Sequence, residues 1–152
     1  MGSKKYIGID PDTEKSGFAV VENGKCTYLG TLSFFDTIAE IDKHREATIV
    51  VEAGWLNSIT NYHEASGKGG QRIALYVGRN QMIGMLLVEY CKRNGINVVE
   101  QKPLRKIWKV KGEKISHEEI VRITGIDRKR SNPEERDALL LCWVYAGLPI
   151  KI

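Results

Sequence analysis

Two short apolar runs in this chain each end on a carboxylate. Tyr6-Ile7-Gly8-Ile9-Asp10-Pro11 closes on Asp10, and Thr48-Ile49-Val50-Val51-Glu52 closes on Glu52. Apolar runs of four to eight residues bounded by turn signals fit buried strands, and a strand's end is where a sheet offers polar chemistry rather than packing. A buried carboxylate is costly unless a partner or a metal neutralises it. A third acidic cluster, Asn132-Pro133-Glu134-Glu135-Arg136-Asp137, opens the apolar segment that follows it. Three separated sources of carboxylate make a metal-site pattern.

The rest of the chain supplies a frame for these acids. Strands are predicted at 5–10, 16–22 and 25–33, the last two joined through Glu22-Asn23-Gly24-Lys25; Asn-Gly between apolar runs is a strong hairpin signal. A helix at about 36–46 leads to the strand 47–52. Ser58 to Gly70, with Asn61, Gly67, Gly69 and Gly70, reads as a long loop, and loops of that length usually carry function. A long helix follows from about Gln71 to Asn94, its apolar Leu75, Met82, Met85, Leu86 and Tyr90 recurring at three- and four-residue spacings, and Asn94-Gly95 stops it. Ile96 to Val99 reads as a further strand. Ser116 with Glu119 is a capping box opening a helix that Gly125 closes, and Asn132 caps a last helix beginning at Pro133.

The expected class is therefore α/β: a five-stranded mixed sheet whose first three strands form an antiparallel meander, followed by two strands added through helical crossovers. Crossovers make the first, fourth and fifth strands parallel. Asp10 and Glu52 then end at one edge.

A chain of 152 residues is expected to be one domain, 1–152. It has no run of eighteen apolar residues and no secretory leader pattern, which predicts a cytoplasmic protein without a membrane partner. Cys26, Cys91 and Cys142 are odd in number, with no C-x-x-C pair, and read as buried apolar side chains in a reducing compartment. The net charge of +4 is unevenly spread: Lys102 to Arg130 holds ten basic and four acidic residues, a local +6. Such a stripe suits a phosphate backbone, and on charge alone a solvated surface suits it equally.

Taken singly, Asp10 and Glu52 read as strand-end groups facing water. Taken together, parallel neighbours bring two like charges close with no basic residue beside them in sequence. Glu135 has a capping role, returning to Asn132. Glu134 and Asp137 are three apart and share one helix face, and the apolar Ala138 to Val144 behind them predicts a buried helix. An all-carboxylate donor set suits Mg²⁺ or Mn²⁺, and two such ions about 3.5–4 Å apart can clamp the attacking and leaving oxygens of a phosphodiester.

Ile7-Gly8-Ile9-Asp10-Pro11, Ser16-Gly17-Phe18, the strand ending in Glu52, and Glu134-Glu135-Arg136-Asp137-Ala138-Leu139 together resemble the ordered catalytic blocks of the RuvC-type Holliday junction resolvases, a ribonuclease-H-like nuclease family. The resemblance spans nearly the whole chain. It implies a ribonuclease-H-like fold and a metal-dependent homodimeric endonuclease that resolves four-way junctions in branched DNA by paired nicks, leaving a 5′-phosphate and a 3′-hydroxyl. By position it makes Asp10, Glu52, Glu134 and Asp137 the ligands of Mg²⁺ or Mn²⁺, two ions per site. Trp55 stands where the family places an aromatic wedge, and packing within the fold explains that residue equally well. Lys109, Lys111 and Lys114 resemble the family's basic residues near the site, with Lys109 the catalytic candidate; spacing does not say which of them approaches the reaction. Lys102, Arg105 and Lys106, and in or beside the loop Tyr62, Lys68 and Arg72, complete the expected DNA contacts. Asp12 replaces a residue that is more often Gly in the family and adds a further acid, and the glycine-rich loop 58–70 is longer than the family leads one to expect.

Other readings of the same residues are a ribonuclease-H-like enzyme on hybrids, flaps or single strands, a nucleotide-binding actin-like ATPase fragment, and a non-catalytic nucleic-acid-binding module.

Overall fold

The computed structural model describes residues 4–57, 67–104 and 114–150. Strands β1 (Lys5–Asp10), β2 (Ser16–Glu22) and β3 (Lys25–Leu32) form the meander. Helix α1 (Phe34–Lys43) leads to β4 (Thr48–Glu52), and a short 3-10 turn, Gly54–Asn57, follows. Helix α2 (Gly67–Arg93) crosses to β5 (Val98–Gln101), and α3 (His117–Thr124) and α4 (Pro133–Tyr145) complete the chain.

The sheet order is β3-β2-β1-β4-β5, with β1, β4 and β5 parallel and the meander antiparallel. The expected class and strand directions are those observed. Asn23 and Gly24 both take positive φ, 53° and 80°, the backbone an Asn-Gly hairpin requires. The capping boxes of Ser116 with Glu119 and of Asn132 with Glu135 are both formed, and Gly125 closes α3 in the left-handed conformation.

Alternation along the strands divides the apolar residues between two cores. Ile7, Ile9, Phe18, Val20, Ile49 and Val51 face α1 and α2, where they meet Ile41, Leu87, Val88 and Cys91. Ala19 and Val21 face α3 and α4, where they meet Ile120, Leu139, Cys142 and Trp143. Side chains two apart share a face, so the face of Tyr6 and Gly8 is also that of Asp10. Val50 and Glu52 share the corresponding face of β4.

Some boundaries differ from expectation. Helix α2 begins at Gly67, inside the segment expected to be loop to Gly70; glycine lowers helix propensity without forbidding the first turn, which leaves its N–H groups unbonded in any case. β5 starts at Val98 rather than Ile96, because Ile96 turns into the core as the chain leaves α2. Of the apolar positions recurring along α2, Leu75, Met82, Met85 and Leu86 are exposed and Tyr90 packs against the core, while the buried face runs through Gly84, Leu87, Val88 and Cys91. The helix carries two apolar stripes, and periodicity alone does not rank them.

The three cysteines are free. Burial pushes the Cys91 thiol up to about 11 and the Cys142 thiol higher still, in keeping with their role as small core side chains. Among the described residues no helix is long and apolar enough to cross a membrane.

Candidate active site

Parallel pairing of β1 and β4 aligns Ile9 with Val51, so the next residues, Asp10 and Glu52, finish side by side at the C-terminal edge of the sheet. They are close enough that their side chains are hydrogen-bonded to one another. Burial first, then the Glu52 charge and that hydrogen bond, then the charges of Asp137 and Glu134, push the Asp10 carboxyl well above the usual carboxylate range. The four acids expected from the sequence are thus one electrostatic group.

Helix α4 reaches this edge because two glycines let it. Gly17 of β2 is the cross-strand partner of Asp10, and a Cβ on Gly17 would collide with the carbonyl oxygen of Glu134. A Cβ on Gly8 would collide with the carbonyl of Ala138 and come within 3.1 Å of Cys142 Cβ. The helix backbone therefore lies directly on β1 and β2, its first turn over the strand ends. Glu134 and Asp137 arrive beside Asp10 by this route.

The neighbours of the acidic pair within 134–137 have structural work. Glu135 is buried; its Oε1 accepts from the Asn132 backbone N–H at 2.8 Å and its Oε2 from Arg128 Nη1 at 3.0 Å. Arg136 Nε donates to the Ile115 carbonyl at 2.8 Å, and its Nη1 to the Ser131 carbonyl and hydroxyl. Both tie α4 to the segment before it. The capping role of Glu135 follows from its spacing to Asn132, whereas the Arg136 clamp has no local signal, because its partners lie in other segments.

A cleft of about 180 Å³ opens on the other side of the pair, lined by Asp10, Pro11, Glu52, Gly54, Trp55 and, from α2, Val77, Asn80 and Gln81. A second cleft joins Glu52 and Asp137 with Pro103, Leu104, Ile115, Leu140 and Leu141. Glu52 borders both. Asn80 and Gln81 were not anticipated; they belong to the face of a long helix that only the folded crossover brings to the acids. Asn80 Oδ1 also accepts from the Thr13 N–H at 3.1 Å, pinning the β1–β2 turn.

Asp12, expected as an additional acid of the site, is a turn residue. Its Oδ1 accepts from the Glu14 N–H at 2.8 Å, and its own N–H donates to the Ser16 hydroxyl at 3.0 Å.

Trp55 lies in the 3-10 turn, three residues beyond Glu52, with its ring packed against Pro11, Gly84 and the α1–α2 core. Its indole N–H donates to Glu100 Oε2 at 2.8 Å. Lys102 and Lys114 are exposed where the described chain leaves β5 and approaches α3. Arg128, counted in the basic stripe, is engaged with Glu135 and with the Leu29 carbonyl at 3.0 Å. Lys68 and Arg72 fall in the first turns of α2. Tyr62, Arg105, Lys106, Lys109 and Lys111 lie outside the described residues.

The donor set is oxygen only, which fits a hard divalent cation. Among the described residues no three acids are gathered tightly enough to enclose one ion as they stand. Like charges crowd this edge, and a bound cation would offset them.

By sequence the chain matches no protein-family model and no curated protein. By structure it is similar to Thermus thermophilus RuvC in complex with Holliday junction substrate, at 14% identity and a TM-score of 0.62, with 94% of this chain and 93% of that one covered. It is also similar to a second Thermus thermophilus RuvC structure, at 15% identity and a TM-score of 0.51, covering 95% and 97%. The chain has the RuvC fold. The ribonuclease-H-like architecture expected from the sequence is that of its structural neighbours over nearly their full length.

Proposed function

We propose that the chain, as one domain over 1–152, is a divalent-metal-dependent, structure-specific DNA endonuclease that resolves four-way junctions by paired nicks. The observation that carries this reading is the single electrostatic group formed by Asp10, Glu52, Glu134 and Asp137 at the sheet edge of a RuvC fold. In this reading these residues hold one or two Mg²⁺ or Mn²⁺ ions, which when bound supply an activated water and charge stabilisation at the scissile phosphate. Between Asp10 and Glu52 a bound cation would offset the two like charges. Glu134 and Asp137, held by the Gly8 and Gly17 contacts, close the site from the helix side. The exposed Lys102 and Lys114 belong to the basic segment that receives the backbone, with Lys109 the candidate nearest the reaction and Arg105, Lys106 and Lys111 beside it. Tyr62, Lys68 and Arg72 are placed by the same reading on the DNA side.

The same reading makes the chain a homodimer. Its support is the outer stripe of α2, where Leu75, Met82 and Leu86 recur at seven and four residues and stand 52%, 54% and 42% exposed. An apolar stripe left exposed among the described residues fits a second copy of that helix. Sedimentation of the wild type beside Met82→Glu/Leu86→Glu tests this: a dimer that becomes a folded monomer supports it, and a wild-type monomer at micromolar concentration removes it.

The function itself is tested with labelled four-way junction, flap and RNA–DNA hybrid substrates, with Mg²⁺ and with chelator. The account expects cation-dependent nicking of the junction leaving 5′-phosphate ends, with the other two cut more slowly. Faster cutting of the hybrid would make the enzyme a ribonuclease-H-like nuclease of another specificity.

A further inference from the structure

Glu100 of β5 has no part in the carboxylate group, yet it is bound to a residue that lines the acidic cleft. We propose that Glu100 is a positioning residue that holds the Trp55 ring as one wall of the cleft, in the orientation a nucleic-acid strand stacks on. The proposal rests on the nuclease reading of that cleft.

The geometry is specific. β4 and β5 pair in parallel with Val51 opposite Glu100 and Glu52 opposite Gln101, so Glu100 stands one step back from the catalytic edge. From there its Oε2 accepts the Trp55 indole N–H at 2.8 Å. Its Oε1 faces Lys92 Nζ of α2 at 3.5 Å. A hydrogen bond to a charged acceptor is roughly twice as strong as a neutral one.

The opposite edge of the ring is fixed by shape. A Cβ on Gly84 would lie 2.6 Å from Trp55 Cζ3 and 3.0 Å from Pro11 Cγ, so a side chain there would push the ring off the helix. Behind the ring, however, a second cleft lies between Trp55 and Met85, Val88, Glu89, Lys92 and Glu100. The ring therefore has solvent space on two sides, and packing alone does not fix its tilt. The Glu100 carboxylate supplies the directional contact that does. An aromatic fixed at this height, three residues beyond Glu52, offers a sequence-tolerant stacking surface beside the scissile position.

The test uses Glu100→Leu, which keeps bulk and removes the acceptor, Glu100→Gln, whose amide oxygen still accepts, and Trp55→Phe, which removes the donor and keeps a smaller ring. The first readout is indole N–H exchange by NMR, with the Trp55 signal assigned among the three tryptophans by its loss in Trp55→Phe. The second is binding of a synthetic four-way junction by Asp10→Asn protein, which needs no catalysis. The third is Mn²⁺ affinity by calorimetry.

Expected is loss of exchange protection and about ten-fold weaker junction binding in Glu100→Leu, recovery in Glu100→Gln, unchanged Mn²⁺ affinity, and no added effect of Glu100→Leu in the Trp55→Phe background. Unchanged binding in Glu100→Leu, or an equal loss with and without the Trp55 N–H, overturns the proposal. A wild type that cuts no DNA would remove the nuclease reading, while exchange and binding still judge Glu100.

Discussion

The carbonyl oxygen of Glu134 occupies the place where Gly17 would carry a Cβ, and Gly17 is the residue opposite Asp10. The height of the acidic helix above the acidic strand is therefore set by a missing methyl group. Ala138 and Gly8 repeat the relationship one helical turn further on, so α4 is seated at two points.

Gly17→Ala should lift the first turn of α4 away from the strands. Overpacking of this kind costs about 1–3 kcal/mol, readable as a lower urea midpoint at unchanged slope. Because the displaced turn carries Glu134, cutting should fall further than the loss of folded protein explains. Wild-type stability and activity in Gly17→Ala would show that the helix seats by other means.

The four residues 134–137 should divide by phenotype. Arg136→Ala removes charged donors from the Ile115 carbonyl and Ser131, and Glu135→Ala removes half of a capping box together with the Arg128 pair. Each should cost about 1–3 kcal/mol. Glu134→Gln and Asp137→Asn should leave the thermal midpoint at or above the wild-type value without cation and remove cutting. The reverse pattern would make the acids structural.

Asp10 gives a pH prediction with a definite sign. Its folded pKa lies above the ordinary carboxylate value of about 3.9. Its protonation therefore favours the folded, metal-free protein; that contribution is complete below the ordinary value and is lost as pH rises through the raised one. In chelator, Asp10→Asn should melt at the wild-type temperature near pH 4 and higher than wild type at neutral pH, with each kcal/mol relieved worth about 2–4 °C. An Asp10→Asn protein that melts lower at neutral pH contradicts the buried-charge account.

Replacing Lys109, Lys111 and Lys114 together should weaken binding to all DNA sequences alike. The log–log salt slope should flatten by about 0.9 for each phosphate that these lysines no longer neutralise. An unchanged slope would place the backbone elsewhere, and Lys102 with Lys15, exposed beside the Glu134 side of the site, would be the next pair to replace.

The sheet, its strand directions and the convergence of the acids were legible because they follow from local rules. Asn23-Gly24 fixes the hairpin, alternation puts Gly8 with Asp10 and Val50 with Glu52, and crossovers make β1 and β4 parallel. What stayed hidden depends on residues distant in sequence. Glu100 meets Trp55 across 45 residues, Asn80 meets Thr13 across 67, and Arg136 meets Ile115 across 21. Which stripe of α2 is buried also stayed hidden, because Leu75, Met82 and Leu86 keep the same helical spacing as the buried Leu87 and Cys91, and only packing against the sheet chooses between them. The turn role of Asp12 was not legible either, because a carboxylate beside an acidic site can as readily hold a turn.

The central claim is that four carboxylates form one cation-dependent catalytic centre. Its most direct test is the Mg²⁺ dependence of four-way-junction cleavage by Asp10→Asn, Glu52→Gln, Glu134→Gln and Asp137→Asn, each measured beside its junction affinity in chelator. The account predicts cutting by the wild type only with cation, cutting reduced by orders of magnitude in every variant, and junction binding retained in all four. Wild-type cleavage rates in any one variant would remove that residue from the centre, and cleavage by the wild type in chelator would contradict the claim as a whole.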